Sequence, residues 1–174
     1  MTFSATALKY IQPGFKVLDL GAGDGWFSRE CIARQALVTA VDVQPPAEQH
    51  PDIDWQTMKV EDYVDRLPST EMFDVIFSRN LIQFLDSVWV EEIFFPTLIQ
   101  HLKTHGVLAI ETFYCDPEPP FEARVSSLFT LDDLKSMMPL LPIVHERQYS
   151  ETSPDMRGVI RKFFVSEIIV QKNT

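Results

Sequence analysis

The chain has 174 residues, which suits one domain with a full core and leaves little room for a second. Hydrophobic residues at 45% and charged residues at 23% give a globular balance rather than a disordered one. Twenty-five acidic against 15 basic residues leave a formal net charge of −10, which disfavours general binding to phosphate backbones, and no apolar run reaches the ~20 residues of a membrane span. The start, MTFSATALKY, lacks the basic-then-apolar pattern of a signal peptide. Cys31 and Cys115 make neither a disulfide framework nor a zinc site, so a reduced, cytoplasmic protein is expected.

Strand and helix patterns alternate from the start. KVLDL (16–20) reads as a strand and GWFSRECIARQ (25–35) as a helix, with Phe27 and Cys31 four apart. LVTAVDV (37–43), IDWQTMKV (53–60) and FDVIFS (73–78) read as the next three strands. VWVEEIFFPTLIQHLKTHG (88–106) reads as a helix capped by Ser87, kinked at Pro96 and stopped by Gly106, with Val90, Phe94, Leu98 and Leu102 on its buried face. GVLAIETF (106–113) is a fifth strand. Proline-rich 114–127 reads as a loop, FTLDDLKSMM (129–138) as a helix opened by a Thr130–Asp133 capping box, and 142–149 with 161–171 as a hairpin around a long polar loop. The strands are apolar nearly throughout rather than alternating, which suits a parallel sheet covered on both faces. The expected fold is therefore α/β: one doubly wound, Rossmann-like domain over 1–174.

The sharpest local pattern is Val17-Leu18-Asp19-Leu20-Gly21-Ala22-Gly23-Asp24-Gly25-Trp26. A strand ends, a glycine turn lets the backbone approach a ligand, and a helix starts with free N–H groups. A dinucleotide fingerprint needs G-x-G-x-x-G, and its third glycine position is held here by Trp26. Asp19, inside the strand, is poorly placed for a pyrophosphate and well placed for an ammonium group. Asp42, at the end of the second strand and twenty-one residues past Gly21, can accept both hydroxyls of a ribose. A ligand with a ribose, a free amino group and no phosphate fits both, and S-adenosylmethionine is such a molecule.

With these residues in place, 17–28, 38–43, 73–80 and 106–111 resemble, in order, the successive motifs of class I S-adenosylmethionine-dependent methyltransferases. The C-terminal part is loosely similar to the tellurite-resistance-type branch. The resemblance implies a seven-stranded sheet, mostly parallel, with an antiparallel last strand. It implies that Asp19 and the Gly21, Ala22, Gly23, Asp24, Gly25 turn hold the methionine part. Asp42 would take the ribose with Val43 beside the adenine, and Val60, Glu61 and Asp62 would flank that base. Lys59 stands where an acid falls if the alignment slips by a position, a departure from the pattern. Ser78, Arg79 and Asn80 would line the bottom of the cofactor site, with Gln83 and Phe84 near cofactor or substrate.

Other readings compete with some of these. Glu61 and Asp62 also suit a solvated first helical turn, and Arg79 and Asn80 a plain turn. His101 and His105 are four apart, but no third ligand is evident, so no metal is expected. Arg147, Arg157, Arg161 and Lys162 form the only basic cluster, read chiefly as a solvated hairpin surface. Methyl transfer can proceed largely by holding the acceptor close and aligned, so catalytic residues are left open. Glu111, Tyr114 and His145 are candidates for a base by position only. The loops 114–127 and 150–158 are the expected substrate walls, and the few residues before the first strand make a short cover. The reading is a methyltransferase acting on a small molecule; the alternative is a methyltransferase-like binding or regulatory protein without turnover.

Overall fold

Short runs of Val, Ile, Leu and Phe without alternation are satisfied only between two covering layers, and the chain places them there. The computed structural model describes residues 2–115, 128–155 and 158–173. The strands are β1 (Lys16–Leu20), β2 (Leu37–Asp42), β3 (Ile53–Thr57), β4 (Phe73–Arg79), β5 (Leu102–Cys115), β6 (Ile143–Pro154) and β7 (Ile160–Gln171). They form one sheet in the order β3-β2-β1-β4-β5-β7-β6. The first five pair in parallel, and β7 runs antiparallel to both β5 and β6. The class, the strand number and the reversed last strand are as expected.

The two faces carry separate cores. On one, Leu18, Ile76 and Leu108 pack against Phe94, Phe95 and Leu98. On the other, Val17, Val75 and Ala109 meet Phe27 and Cys31 of helix α2 (Trp26–Ile32) and Phe3 of helix α1 (Phe3–Ala7). The expected short N-terminal cover is thus an ordered element: α1, capped by Thr2, continues into a 3-10 turn at Leu8–Tyr10 and stacks Phe3 on Phe77 at 5.7 Å.

Three boundaries differ from the expectations, each for a local reason. β3 stops at Thr57, because Val60 and Val64, four apart, bury one side of helix α3 (Val60–Val64) with Glu61 and Asp62 in its first turn. The long helix expected over 88–106 is three pieces: α4 (Ser87–Trp89), a π-helical turn (Val90–Phe94) and α5 (Phe95–Gln100). Its cap is Asp86, whose carboxylate accepts the Trp89 N–H at 2.9 Å, rather than Ser87. The wide turn ends just before Pro96, so the missing N–H falls in the first turn of α5, where none is needed. Gly106 lies inside β5 instead of ending a helix; a Cβ there would stand 2.9 Å from the Lys103 carbonyl and 3.0 Å from that of Asp74. Leu102 is buried as the first residue of that strand, not as a fourth helical contact.

In the C-terminal part the capping box opens α6 (Leu131–Met137) as expected. The hairpin ladder is longer than expected and pairs as far as Pro154 with Ile160. Asp155 holds its turn, accepting from Val159 N at 2.9 Å and Arg161 Nε at 2.7 Å. Arg157 and most of the loop read over 114–127 lie outside the described residues, while Tyr114 and Cys115 belong to β5.

A glycine needed for close strand approach is less replaceable than one that merely ends a helix. Gly106→Ala is expected to lose about 1–3 kcal/mol through backbone crowding, read as a lower urea midpoint with an unchanged slope.

Candidate active site

The carboxyl end of β1 leads into a loop built on positive φ at Gly21 (72°), Gly23 (56°) and Gly25 (74°). Only glycine adopts such a series without strain. The loop is tied to the end of β2. Val41 O accepts from Gly21 N at 2.9 Å and Ala22 N at 3.1 Å, and Asp42 Oδ2 accepts from Gly23 N at 2.8 Å. Asp42 Oδ1 accepts from Gln44 N at 2.8 Å, so the carboxylate fixes both its own turn and the glycine loop. Asp24 receives the Trp26 N–H at 3.0 Å, and Arg29 Nη1 donates to the Asp24 carbonyl. Trp55, on β3, lies so close over Gly25 that a Cβ there would come within 2.8 Å of its ring.

Asp19 is 2% exposed and receives one side-chain hydrogen bond, from Ser28 Oγ at 2.6 Å. Burial raises its pKa to about 7; the Ser28 hydroxyl works against that, and the charges of Asp42 and Asp24 add to it. A desolvated carboxylate whose donors come from one residue, Ser28, is matched by a cation that brings several N–H donors.

The remaining predicted residues are not equally placed. Asp19, Gly21 to Gly25 and Asp42 come together at the β1–β2 edge. Val43 follows with its side chain exposed. Val60 is buried in the core with Leu18 and Leu20, so only its backbone faces outward chemistry, while Glu61 and Asp62 occupy the first turn of α3. Lys59 is the exposed residue before that helix. Ser78 pairs in register with Leu20 and so turns its hydroxyl to the sheet face away from Asp19, where it is buried without a hydrogen-bond partner among the described residues. Gln83, fully buried, accepts from Thr112 Oγ1 at 3.1 Å, and Phe84 meets Phe113 edge-on at 6.2 Å. Asn80 turns the chain at φ 55° and donates its N–H to Glu111 O at 2.9 Å. His101 Nδ1 lies 2.6 Å from the Glu71 carbonyl, and His105 is in β5, so the two are not a pair on one helix.

Sequence reasoning undervalued a second group of polar residues. Arg79 Nε donates to Glu111 Oε1 at 2.6 Å. Glu111 stands opposite Glu167 of β7, and His145 Nε2 lies 3.2 Å from Glu167 Oε2. Glu111 and Glu167 are 5% and 2% exposed. The Glu111 pKa is raised by burial, against the opposing effect of Arg79 and with a further push from Glu167 and Glu151. The Tyr149 phenol is pushed up to about 12, by burial first, then by the charges of Glu111, Glu167 and Glu151, and by its hydrogen bond to the Glu167 carboxylate. Glu167 was visible in the sequence as the one acid in the apolar run FFVSEIIV, the same signal that marked Asp19. Tyr114, the other positional candidate for a base, stacks on Phe164 at 4.9 Å.

A glycine loop at the end of β1, an acid at the end of β2 and a reversed last strand place the chain among the methyltransferase folds. Residues 2–139 match the family model of the methyltransferase domain, and the chain belongs to that family. It is 27% identical over 140 residues to malonyl-[acyl-carrier protein] O-methyltransferase from Halalkalibacterium halodurans, covering 70% of this chain and 49% of that one. The chain thus spans about half the length of that relative. Its fold is similar to TehB from Haemophilus influenzae, with a TM-score of 0.75 at 20% identity over 97% of this chain and 61% of that one. That bears out, for the fold, the likeness to the tellurite-resistance-type branch. It is also similar to the N-methyltransferase NodS from Bradyrhizobium japonicum in complex with S-adenosylhomocysteine, with a TM-score of 0.69 at 15% identity, over 98% and 86% of the two chains.

Asp19 also sets a pH dependence. Its pKa is raised on folding, so the folded state holds its proton from about pH 4 to about pH 7 while the unfolded state has lost it. Stability from this group is full below pH 4 and declines as pH rises through 7. Asp19→Asn, which needs no proton, is expected to gain on the wild type over that interval, by about 4 kcal/mol at most. Urea unfolding of both proteins at pH 4.5 and 7.5 measures the difference.

Proposed function

We propose that the chain binds S-adenosylmethionine at the β1–β2 edge and transfers its methyl group to a small-molecule acceptor. The observation that carries this reading is Asp19, a carboxylate buried beside the Gly21–Gly25 turn whose donors come from Ser28, with no ion pair to it among the described residues. The residues fit the cofactor. Asp19 answers its ammonium group and the glycine turn leaves backbone room beside it. Asp42 would take the ribose hydroxyls on lone pairs not used by Gly23 and Gln44, and that contact would hold the loop in the shape it already has. Val43 and the α3 residues Glu61 and Asp62 would border the adenine, with the Val60 backbone between them. Arg79 and Asn80 would close the site toward β5, with the backbone of Ser78 below.

When bound, the cofactor supplies a methyl group already activated on a sulfonium. The chain's own share is then to bind, align and dehydrate. Phe3, Phe27 and Phe77 stack beneath the Asp19 side of the site, with Phe27 and Phe77 centroids 3.7 Å apart, and make a dry, rigid floor. The family membership supports the reaction class. The solved likenesses, all at low identity, support the fold on which it runs.

Calorimetric titration with S-adenosylmethionine, S-adenosylhomocysteine and NAD tests the reading. Micromolar binding of the first two is expected, with no heat from NAD. Asp42→Ala should weaken binding by tenfold or more, about 1.4 kcal/mol for a lost hydroxyl contact. Absence of binding by either sulfur compound to folded protein would sink the enzyme reading and favour a binding or regulatory role.

A further inference from the structure

The sheet register joins the cofactor end to the second polar group. Asp19 pairs with Phe77, Phe77 with Ala109, Ala109 with Ile169 and Ile169 with His145. Directly opposed residues share a face, and so do residues two apart on one strand. The next row toward the carboxyl ends of β4 and β5 is therefore Arg79, Glu111, Glu167 and Arg147, on the same face as Asp19. The row beyond it is Phe113, Val165 and Tyr149, which cluster with Cys115 and Phe163.

Two buried carboxylates in an apolar sheet need partners, and the positive groups of this row cover only part of them. Arg79 gives its Nε–H to Glu111. Arg147 lies over the Tyr149 ring at 4.2 Å. His145 reaches Glu167 Oε2 and Tyr149 also bonds the Glu167 carboxylate, while Glu167 Oε1 is buried without a hydrogen-bond partner among the described residues. An acceptor oxygen left so carries an uncompensated desolvation cost, which a ligand bringing an N–H group would remove. A ligand carboxylate has no N–H to give that oxygen.

We propose that this row is the acceptor end of the site and takes a nitrogen base carried on an apolar body: Glu167 Oε1 accepts its N–H, and the Phe113–Phe163 cluster holds the apolar part. The same arrangement favours amines over carboxylates at Glu167. It rests on the methyltransferase reading for its purpose, but binding alone tests it.

The test is ligand-observed NMR titration of the full chain, with S-adenosylhomocysteine in excess, using 2-phenylethylamine and its acidic counterpart 3-phenylpropionate. The amine is expected to bind at least about tenfold more tightly. Glu167→Gln should reduce that ratio to about threefold or less, whereas Glu146→Gln, an exposed acid on β6 paired with Lys135, should leave it unchanged. On wild-type protein labelled at the glutamate carboxyl carbons, the amine should move the signals of the buried glutamates and the acid should not, a readout that stands even if Glu167→Gln does not fold. Equal or tighter binding of the acid, no binding of either probe up to about 10 mM, or an unchanged ratio in folded Glu167→Gln would overturn the proposal. Calorimetry of S-adenosylhomocysteine on the same samples separates the two claims. If it binds and the amine preference is absent, only the acceptor assignment fails.

Discussion

The parallel pairing of β1 with β4 and of β4 with β5 is the constraint on which the rest of the molecule depends. It puts the carboxyl ends of three central strands on one edge and fixes which side chains share a face. A slip of one residue would turn Asp19 and Glu111 to the opposite layer. The register is held by more than apolar packing. Asp74 accepts Lys16 N at 2.8 Å and Lys103 Nζ at 2.7 Å, which ties the amino ends of β1, β4 and β5 together. Gly106 lets the backbones approach there.

Much of this was legible in the sequence because it rests on local rules. The apolar strands require two covering layers, and Gly21, Gly23 and Gly25 require a turn with positive φ. Thr130 and Asp133 announce a helix start by spacing alone. The errors lie where a long-range contact overrides a local pattern. Leu102 continued a four-residue period into what is a strand, because pairing with Phe73 outweighs the helical spacing. Gly106 looked like a helix terminator and is a packing requirement of β4. Val60 looked like the end of a strand until Val64 shared its burial.

The polar half of the site was harder to read for the same reason. His145, Glu167 and Glu111 are scattered over nearly sixty residues, and only the β5–β7–β6 pairing brings them together. The signal that was available is chemical. An acid in an otherwise apolar strand is costly unless something answers it. That argument was applied to Asp19, where a glycine turn stood next to it. It applies with equal force to Glu111, which the sequence offers as a base candidate by position only, and to Glu167, which no motif marks.

Arg79 shows how the two halves are made into one site. It is the last residue of β4, and Asn80 then turns the chain away while its own N–H binds the Glu111 carbonyl. Backbone and side chain of β4 therefore grip the same residue of β5. The side-chain bond uses Nε, so neither terminal nitrogen of the guanidinium is spent on it, and half of the side chain stays exposed at the edge of the sheet. A lysine would have to choose between the buried carboxylate and the solvent edge, since it carries one charged nitrogen on a flexible stem. The planar fork does both. It neutralises one of two adjacent buried acids from the open side, and it leaves Glu167 Oε1, away from solvent, as the carboxylate oxygen without a hydrogen-bond partner among the described residues.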